Sequence, residues 1–129
     1  MLVGVGLDII EVDRIQRSLK RFKSRFREKI FTPAEIEDCS RRKRPSLAYA
    51  SRWAAKEALM KALGTGWTGG VQFLDIEVLP AESGAPTMTL SGAARAQWEA
   101  LGSPRILLSL TDTRRTAAAV VLLEEQGSR

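Results

Sequence analysis

Apolar residues recur along the chain with two different periods. At the start they alternate: Val3, Val5 and Leu7 fall on one face of a strand, and Leu2, Gly4, Gly6 and Asp8 on the other. Two successive glycines on one face remove the side chains beside Asp8 and open that face to close approach. Asp8 and Glu11 stand at a spacing that suits a capping box. Ile15, Leu19, Phe22, Phe26 and Ile30 then follow at helical intervals, which predicts an amphipathic helix, broken once, that ends before Thr32-Pro33. Thr32-Pro33-Ala34-Glu35 reads as a new helix start, with Thr as N-cap and Pro just inside. Leu47 to Leu63 is alanine-rich without Gly or Pro and predicts the longest helix, closed by a left-handed Gly64. Gly66, Gly69 and Gly70 extend a loop beyond it.

The second half predicts a strand at 73–79, a turn at 82–86, a short strand at 87–90 and a helix at 91–101 with Ser91 as N-cap. Residues 105–110 and 116–123 form a hairpin around Asp112-Thr113-Arg114-Arg115. Ala117 to Leu123 is apolar on both faces, as in a strand covered on both sides. A chain this small covers the second side by associating with copies of itself. No internal repeat or low-complexity tract interrupts the pattern, and the residues from Gln126 are expected to fray.

A length of 129 residues fits one compact domain, and a hydrophobic share of 44% supports an ordinary core. The absence of histidine, with a single cysteine at position 39, excludes His-based triads, Cys–His pairs, zinc held by Cys and His, and a disulfide framework. Any chemistry must use carboxylates, lysine, arginine, hydroxyls or a hard metal ion held by oxygen. Twenty Lys and Arg against fifteen Asp and Glu leave a net charge of +5, which favours an anionic partner. No signal peptide or membrane span is evident, so a cytosolic location is expected and Cys39 is an inert thiol.

Candidate chemistry gathers at two carboxylates in unusual settings: Asp8 on the glycine-flanked strand, and Glu57 on an otherwise small and apolar helical stripe. Two carboxylates from different elements can hold Mg²⁺, whose remaining positions go to water and phosphate oxygens. Lys61, one turn after Glu57, would sit beside the same phosphates. The same residues also suit a capping pair, Asp8 with Glu11, and a helical salt bridge, Glu57 with Lys61. The glycine loop after Gly64 follows a helix rather than preceding one, so it lacks the helix N-terminus of a P-loop. Arg14, Arg17, Lys20, Arg21, Lys23, Arg25 and Arg27 make the first helix strongly basic, opposed nearby by Glu28. Of these, Arg14, Arg21 and Arg25 project on nearly one bearing. That face suits an acidic protein or nucleic acid, although no stacking platform of aromatics lies beside it. Arg41-Arg42-Lys43-Arg44-Pro45 reads as a basic linker.

Taken together, these residues resemble the holo-(acyl-carrier-protein) synthases, the small phosphopantetheinyl transferases. The likeness begins with Gly4-Val5-Gly6-Leu7-Asp8-Ile9-Ile10-Glu11-Val12-Asp13-Arg14-Ile15 and continues through Phe31-Thr32-Pro33-Ala34-Glu35. It is strongest at Arg52-Trp53-Ala54-Ala55-Lys56-Glu57-Ala58 with Lys61-Ala62-Leu63-Gly64-Thr65-Gly66. Asp75-Ile76-Glu77-Val78, Gly84-Ala85-Pro86, and Ser109-Leu110-Thr111-Asp112 before Ala117-Ala118-Ala119 complete it. The resemblance implies an α+β fold of the 4′-phosphopantetheinyl transferase type, spanning 1–129, with one long central helix and a basic N-terminal helix packed on a small antiparallel sheet.

It also implies transfer of the 4′-phosphopantetheine arm of coenzyme A to a serine of apo acyl carrier protein in fatty acid biosynthesis, releasing adenosine 3′,5′-bisphosphate. Asp8 and Glu57 then look like the Mg²⁺ ligands, and Asp8, Glu57 and Lys61 like the catalytic set. Arg52, Lys61, Gly64, Gly66, Pro86 and Thr111 resemble coenzyme A contacts. Arg14 and Arg21 match positions that meet the acidic helix of the carrier, and Arg25 adds to them. Members of the family are typically homotrimers with coenzyme A between neighbouring protomers. One position departs from the pattern: Asp112 stands where many relatives carry histidine. The rival reading is a non-catalytic basic module that binds nucleic acid or an acidic protein through residues 14–27.

Overall fold

The computed structural model describes residues 1–64 and 69–127. Strand β1 (Leu2–Glu11) leads into helices α1 (Val12–Phe22), α2 (Ser24–Ile30), α3 (Pro33–Ser40) and the long α4 (Pro45–Leu63). Strands β2 (Ile76–Pro80) and β3 (Pro86–Leu90), helix α5 (Gly92–Ala100) and strands β4 (Arg105–Asp112) and β5 (Thr116–Glu124) follow. A three-stranded antiparallel sheet has the order β1-β5-β4, and β2 and β3 form a separate antiparallel ladder.

Helix α4 lies against the inner face of the larger sheet, and β1 approaches it at backbone contact. A Cβ on Gly6 would stand 1.7 Å from the carbonyl oxygen of Ala58, and one on Gly4 2.3 Å from that of Ala62. The two glycines are therefore occupied by the molecule's own helix, and small residues on α4 complete the fit: Ala54, Ala55 and Ala58 are fully buried. The core fills the space between α4 and β5, whose Ala117, Ala119, Val121 and Leu123 point inward.

A second tie runs through Lys56 and Glu35, both wholly buried. Thr32 caps α3 as the motif predicts: its hydroxyl accepts from the Glu35 amide at 3.3 Å, and Glu35 Oε1 accepts from the Thr32 amide at 2.9 Å. Glu35 then reaches further than a capping residue does. Lys56 Nζ donates to Glu35 Oε1 at 2.7 Å and to the carbonyls of Ile30 and Phe73, while the Val78 amide donates to Glu35 Oε2 at 2.7 Å. Burial pushes the Lys56 ammonium below the usual lysine range, and the Glu35 carboxylate opposes that push. One ion pair thus joins the end of α2, the start of α3, α4 and β2.

Four local expectations are corrected. Strand β1 continues to Glu11 because its ladder with β5 runs as far as Glu11 opposite Thr116, so Asp8 is a strand residue and caps nothing. The N-cap of α1 is Glu11, without a side-chain cap bond. Residues 73–75 form a 3₁₀ turn rather than the first half of a strand, and Pro45 opens α4 rather than ending a linker. Ser91 precedes α5 but makes no side-chain cap; Asp75 Oδ2 accepts from the Ala94 amide instead. The predicted break in the first helix falls at Lys23, with φ +50° and ψ −128°. Gly64 closes α4 at φ +83°, as expected.

Gly6→Ala should cost about 3 kcal/mol or more, because the clash is with helix backbone and cannot be relieved by a side-chain rotation. Urea unfolding followed by circular dichroism measures it, and a loss below about 1 kcal/mol would show that α4 can retreat from β1.

Candidate active site

The contact between β1 and α4 brings Asp8, Glu57 and Lys61 together. Asp8 is on the inner side of β1, in line with Gly4 and Gly6, opposite Ala119. Lys61 Nζ donates to Asp8 Oδ1 at 3.1 Å and to the Leu7 carbonyl at 2.9 Å. Lys61 is therefore paired with the strand rather than with Glu57, because the edge of β1 offers two acceptors at once. Glu57 is half-buried, and burial together with the nearby Asp8 charge pushes its carboxyl above the usual range, with Lys61 pulling the other way. Two hard carboxylates facing one ammonium leave an excess of negative charge.

That donor set fits Mg²⁺. Asp8 and Glu57 offer oxygen donors only, the sequence holds no histidine, and no cluster of three or more His, Cys, Asp or Glu side chains among the described residues could hold a metal ion by itself. A two-carboxylate site leaves most of the coordination shell to water and phosphate oxygens.

A basic cleft of about 470 Å³ opens on another side of α4, lined by Arg42, Lys43, Arg44, Arg52, Pro86 and Asp112 among others. Arg52 and Pro86 thus line one cavity. Arg42 and Arg44, read from sequence as linker, belong to it as well. Arg44 is held there by a 2.6 Å bond from Nη2 to the Arg114 carbonyl. The run of basic residues before a proline-started helix was the only signal for this, and charge alone does not say which way a side chain points. Asp112, at the departing position, faces the same arginines. Thr111, one residue earlier in β4, is exposed on the opposite side of the sheet, so this chain does not bring it to Arg52. Gly64 caps α4 beyond Lys61, while Gly66 lies outside the described residues.

A shallower groove of about 480 Å³ on α1 is lined by Arg14, Arg17, Ser18, Lys20, Arg21 and Phe22. Arg21 stacks over Phe22 at 5.2 Å. Arg25 lies beyond the Lys23 break on α2, so the shared bearing with Arg14 and Arg21 does not carry across. Cys39 is buried and its thiol is pushed up to about 12 by that burial, which makes it unreactive as expected.

The profile of the 4′-phosphopantetheinyl transferase superfamily matches residues 4–121. The chain belongs to that family. It is 48% identical over 124 residues to the holo-[acyl-carrier-protein] synthase of Solibacter usitatus, covering 96% of this chain and 99% of that protein. Among solved structures, the Neisseria meningitidis holo-[acyl-carrier-protein] synthase superposes with a TM-score of 0.88 at 36% identity, covering 97% of this chain and 100% of the other. The Helicobacter pylori enzyme, solved in complex with coenzyme A, superposes with a TM-score of 0.80 at 32% identity over 93% of this chain and 99% of its own. The α+β fold expected from the resemblance is therefore the fold observed.

The raised Glu57 carboxyl has a consequence for stability. The folded state binds its proton more tightly than the unfolded chain, so the ionised group costs stability once pH rises above that range. Glu57→Gln should then raise the stability of metal-free protein at pH 7 by about 0.5 kcal/mol, a figure discounted for its partial exposure. A lower urea midpoint for the variant would contradict the repulsion between Asp8 and Glu57.

Proposed function

We propose that this chain transfers the 4′-phosphopantetheine arm of coenzyme A to a serine hydroxyl of an apo acyl carrier protein. The observation that carries the reading is the convergence of Asp8, Glu57 and Lys61 across the β1–α4 contact in a chain of this family. The serine oxygen bonds to the phosphorus of the pantetheine phosphate, the bond from that phosphorus to the bridging oxygen breaks, and adenosine 3′,5′-bisphosphate leaves. Asp8 and Glu57 would hold Mg²⁺, which when bound neutralises charge on the pyrophosphate. Glu57 is positioned to receive the serine proton, directly or through a water. Lys61, fixed by Leu7 and Asp8, sets a positive charge beside the leaving phosphate.

Arg52 and Pro86 bind the nucleotide end of coenzyme A in the basic cleft. Arg52 and Lys61 lie nine residues apart on α4, which places them on opposite sides of the helix and about 13 Å apart along it. A coenzyme A molecule that meets both residue types therefore takes Lys61 from one protomer and Arg52 from the next. Thr111 projects from the outer sheet face, where an adjacent copy would also bring it within reach. That face is apolar: Val5, Leu7 and Ile9 are 61%, 63% and 69% exposed, and Ala118, Val120 and Leu122 of β5 continue it. Covering it with neighbouring copies accounts for the two-sided apolar pattern of β5, and the homotrimer is the assembly that the family resemblance implies. No helix is long and apolar enough to cross a membrane among the described residues.

The α1 groove receives the acidic helix of the carrier protein, with Arg14 and Arg21 as its principal charges and Arg25 at its margin. A nucleic-acid partner would leave the carboxylate cluster without a role, so the carrier reading is preferred.

Intact mass of an apo acyl carrier protein after incubation with this protein, coenzyme A and Mg²⁺ should increase by one phosphopantetheine arm. The gain should vanish with a chelator, and Asp8→Asn or Glu57→Gln should slow it by about 10³-fold or more, a loss on the scale of an electrostatic catalytic group. Full turnover by either variant would remove the metal site from the reaction. Charge reversal at Arg14 and Arg21 should raise KM for the carrier about tenfold and leave KM for coenzyme A nearly unchanged; equal rises would exclude the groove as the docking face.

A further inference from the structure

Asp38 occupies a position that α3 itself disfavours. It stands in the last turn of the helix, where the dipole repels a carboxylate, and it is only 8% exposed. Three guanidinium groups converge on it. Arg42 Nη2 donates to its two oxygens at 3.1 and 3.2 Å, Arg41 Nη2 donates to Oδ1 at 3.4 Å, and Arg52 Nη2 pairs with Oδ2. Arg41 is 70% exposed at its side chain and adds little, whereas the Arg52 side chain is as buried as Asp38.

Arg42 and Arg52 are two of the cations that line the basic cleft. The Arg52 fork is fixed at both of its ends, with Nη1 donating to the Ala48 carbonyl at 3.4 Å and Nη2 committed to Asp38. Its Nε is the one buried side-chain nitrogen or oxygen without a partner among the described residues. Each terminal nitrogen also carries a second N–H, so a guanidinium held in this way keeps donors for a ligand and cannot turn to use them elsewhere. Arg42, Lys43, Arg44 and Arg52 line the cleft against Asp112 and the carboxylate of Asp38, which still leaves it positive. Asp38 thus organises the arginines without cancelling them.

We propose that Asp38 is a positioning residue for nucleotide binding: its carboxylate holds Arg42 and Arg52 in the arrangement that receives a phosphate group of the coenzyme A nucleotide. This rests on the assignment of the cleft to that nucleotide. Removing the carboxylate leaves the buried Arg52 charge uncompensated, so its guanidinium leaves the cleft wall for solvent and the two-point approach to phosphate is lost.

Calorimetric titration of the full-length protein with adenosine 3′,5′-bisphosphate tests it. Asp38→Asn should weaken binding about tenfold and raise KM for coenzyme A in the same proportion, with KM for the carrier within twofold of wild type. Asp38→Glu, which keeps the charge, should recover most of the affinity. A purely structural role for Asp38 would not separate the two KM values in this way. If Asp38→Asn does not fold, Arg52→Lys decides, since it keeps a cation opposite Asp38 but gives up the fork; it too should bind about tenfold more weakly. Unchanged affinity in folded Asp38→Asn, with wild type binding, overturns the role of Asp38 and leaves the cleft assignment standing; unchanged affinity in Arg52→Lys overturns both the role of Asp38 and the need for the Arg52 fork. A wild-type protein that does not bind the bisphosphate overturns the role of Asp38 and the cleft assignment together.

Discussion

A strand with two successive glycines on its inner face can rest directly on a helix, and the site depends on that contact. Gly4 and Gly6 let β1 settle onto the Ala58 and Ala62 turns of α4 until backbone meets backbone. Asp8 is the next inward residue, so it arrives beside Glu57 and Lys61 with no freedom to stand off. Close approach then does electrostatic work. It forces two carboxylates to share a partly dry space, raises the cost of ionising Glu57, and offers Lys61 both a carboxylate and the Leu7 carbonyl. A site built on a strand and a helix is held more rigidly than one built on loops.

The opposite side of α4 is organised by ion pairs instead of by backbone contact. Lys56 and Glu35 are adjacent in function to the site without touching it: Lys56 precedes Glu57 in sequence and faces inward because its ammonium satisfies Glu35 and two carbonyls. This locks the rotation of α4 about its own axis. With Lys56 pinned, Glu57 and Lys61 must face β1, and Arg52 must face α3 and the cleft. Single replacements in such a buried pair leave an uncompensated charge, so the pair acts as a registration device whose members cannot change separately.

The two halves of the chemistry consequently sit on different sides of one helix. That separation is a property of α4 geometry, and under the proposed function it links catalysis to assembly: copies packed on the exposed apolar face of β1 and β5 would bring the basic cleft of one copy toward the carboxylates of another.

Much of this was legible in the linear pattern. The alternation in β1 and β5, the helical spacing with its break, the Thr32 cap and the Gly64 terminator each depend on residues close in sequence, where local sterics and hydrogen bonding decide the outcome. Their unusual settings singled out Asp8 and Glu57, with Lys61 one turn on, and the resemblance to a known family implied their roles, although spacing allowed two bland pairings for them as well. What the linear pattern could not decide were partners drawn from distant segments. Strand β1 runs past Asp8 because β5, more than a hundred residues later, supplies its ladder. Lys61 chooses Asp8 over Glu57, Glu35 becomes a buried ion-pair partner as well as a cap, and Asp38 gathers arginines from two elements. Each of these choices is made by competition among groups that only the packed chain brings within a few ångströms. Local periodicity therefore determined the elements, and tertiary packing determined which charges meet.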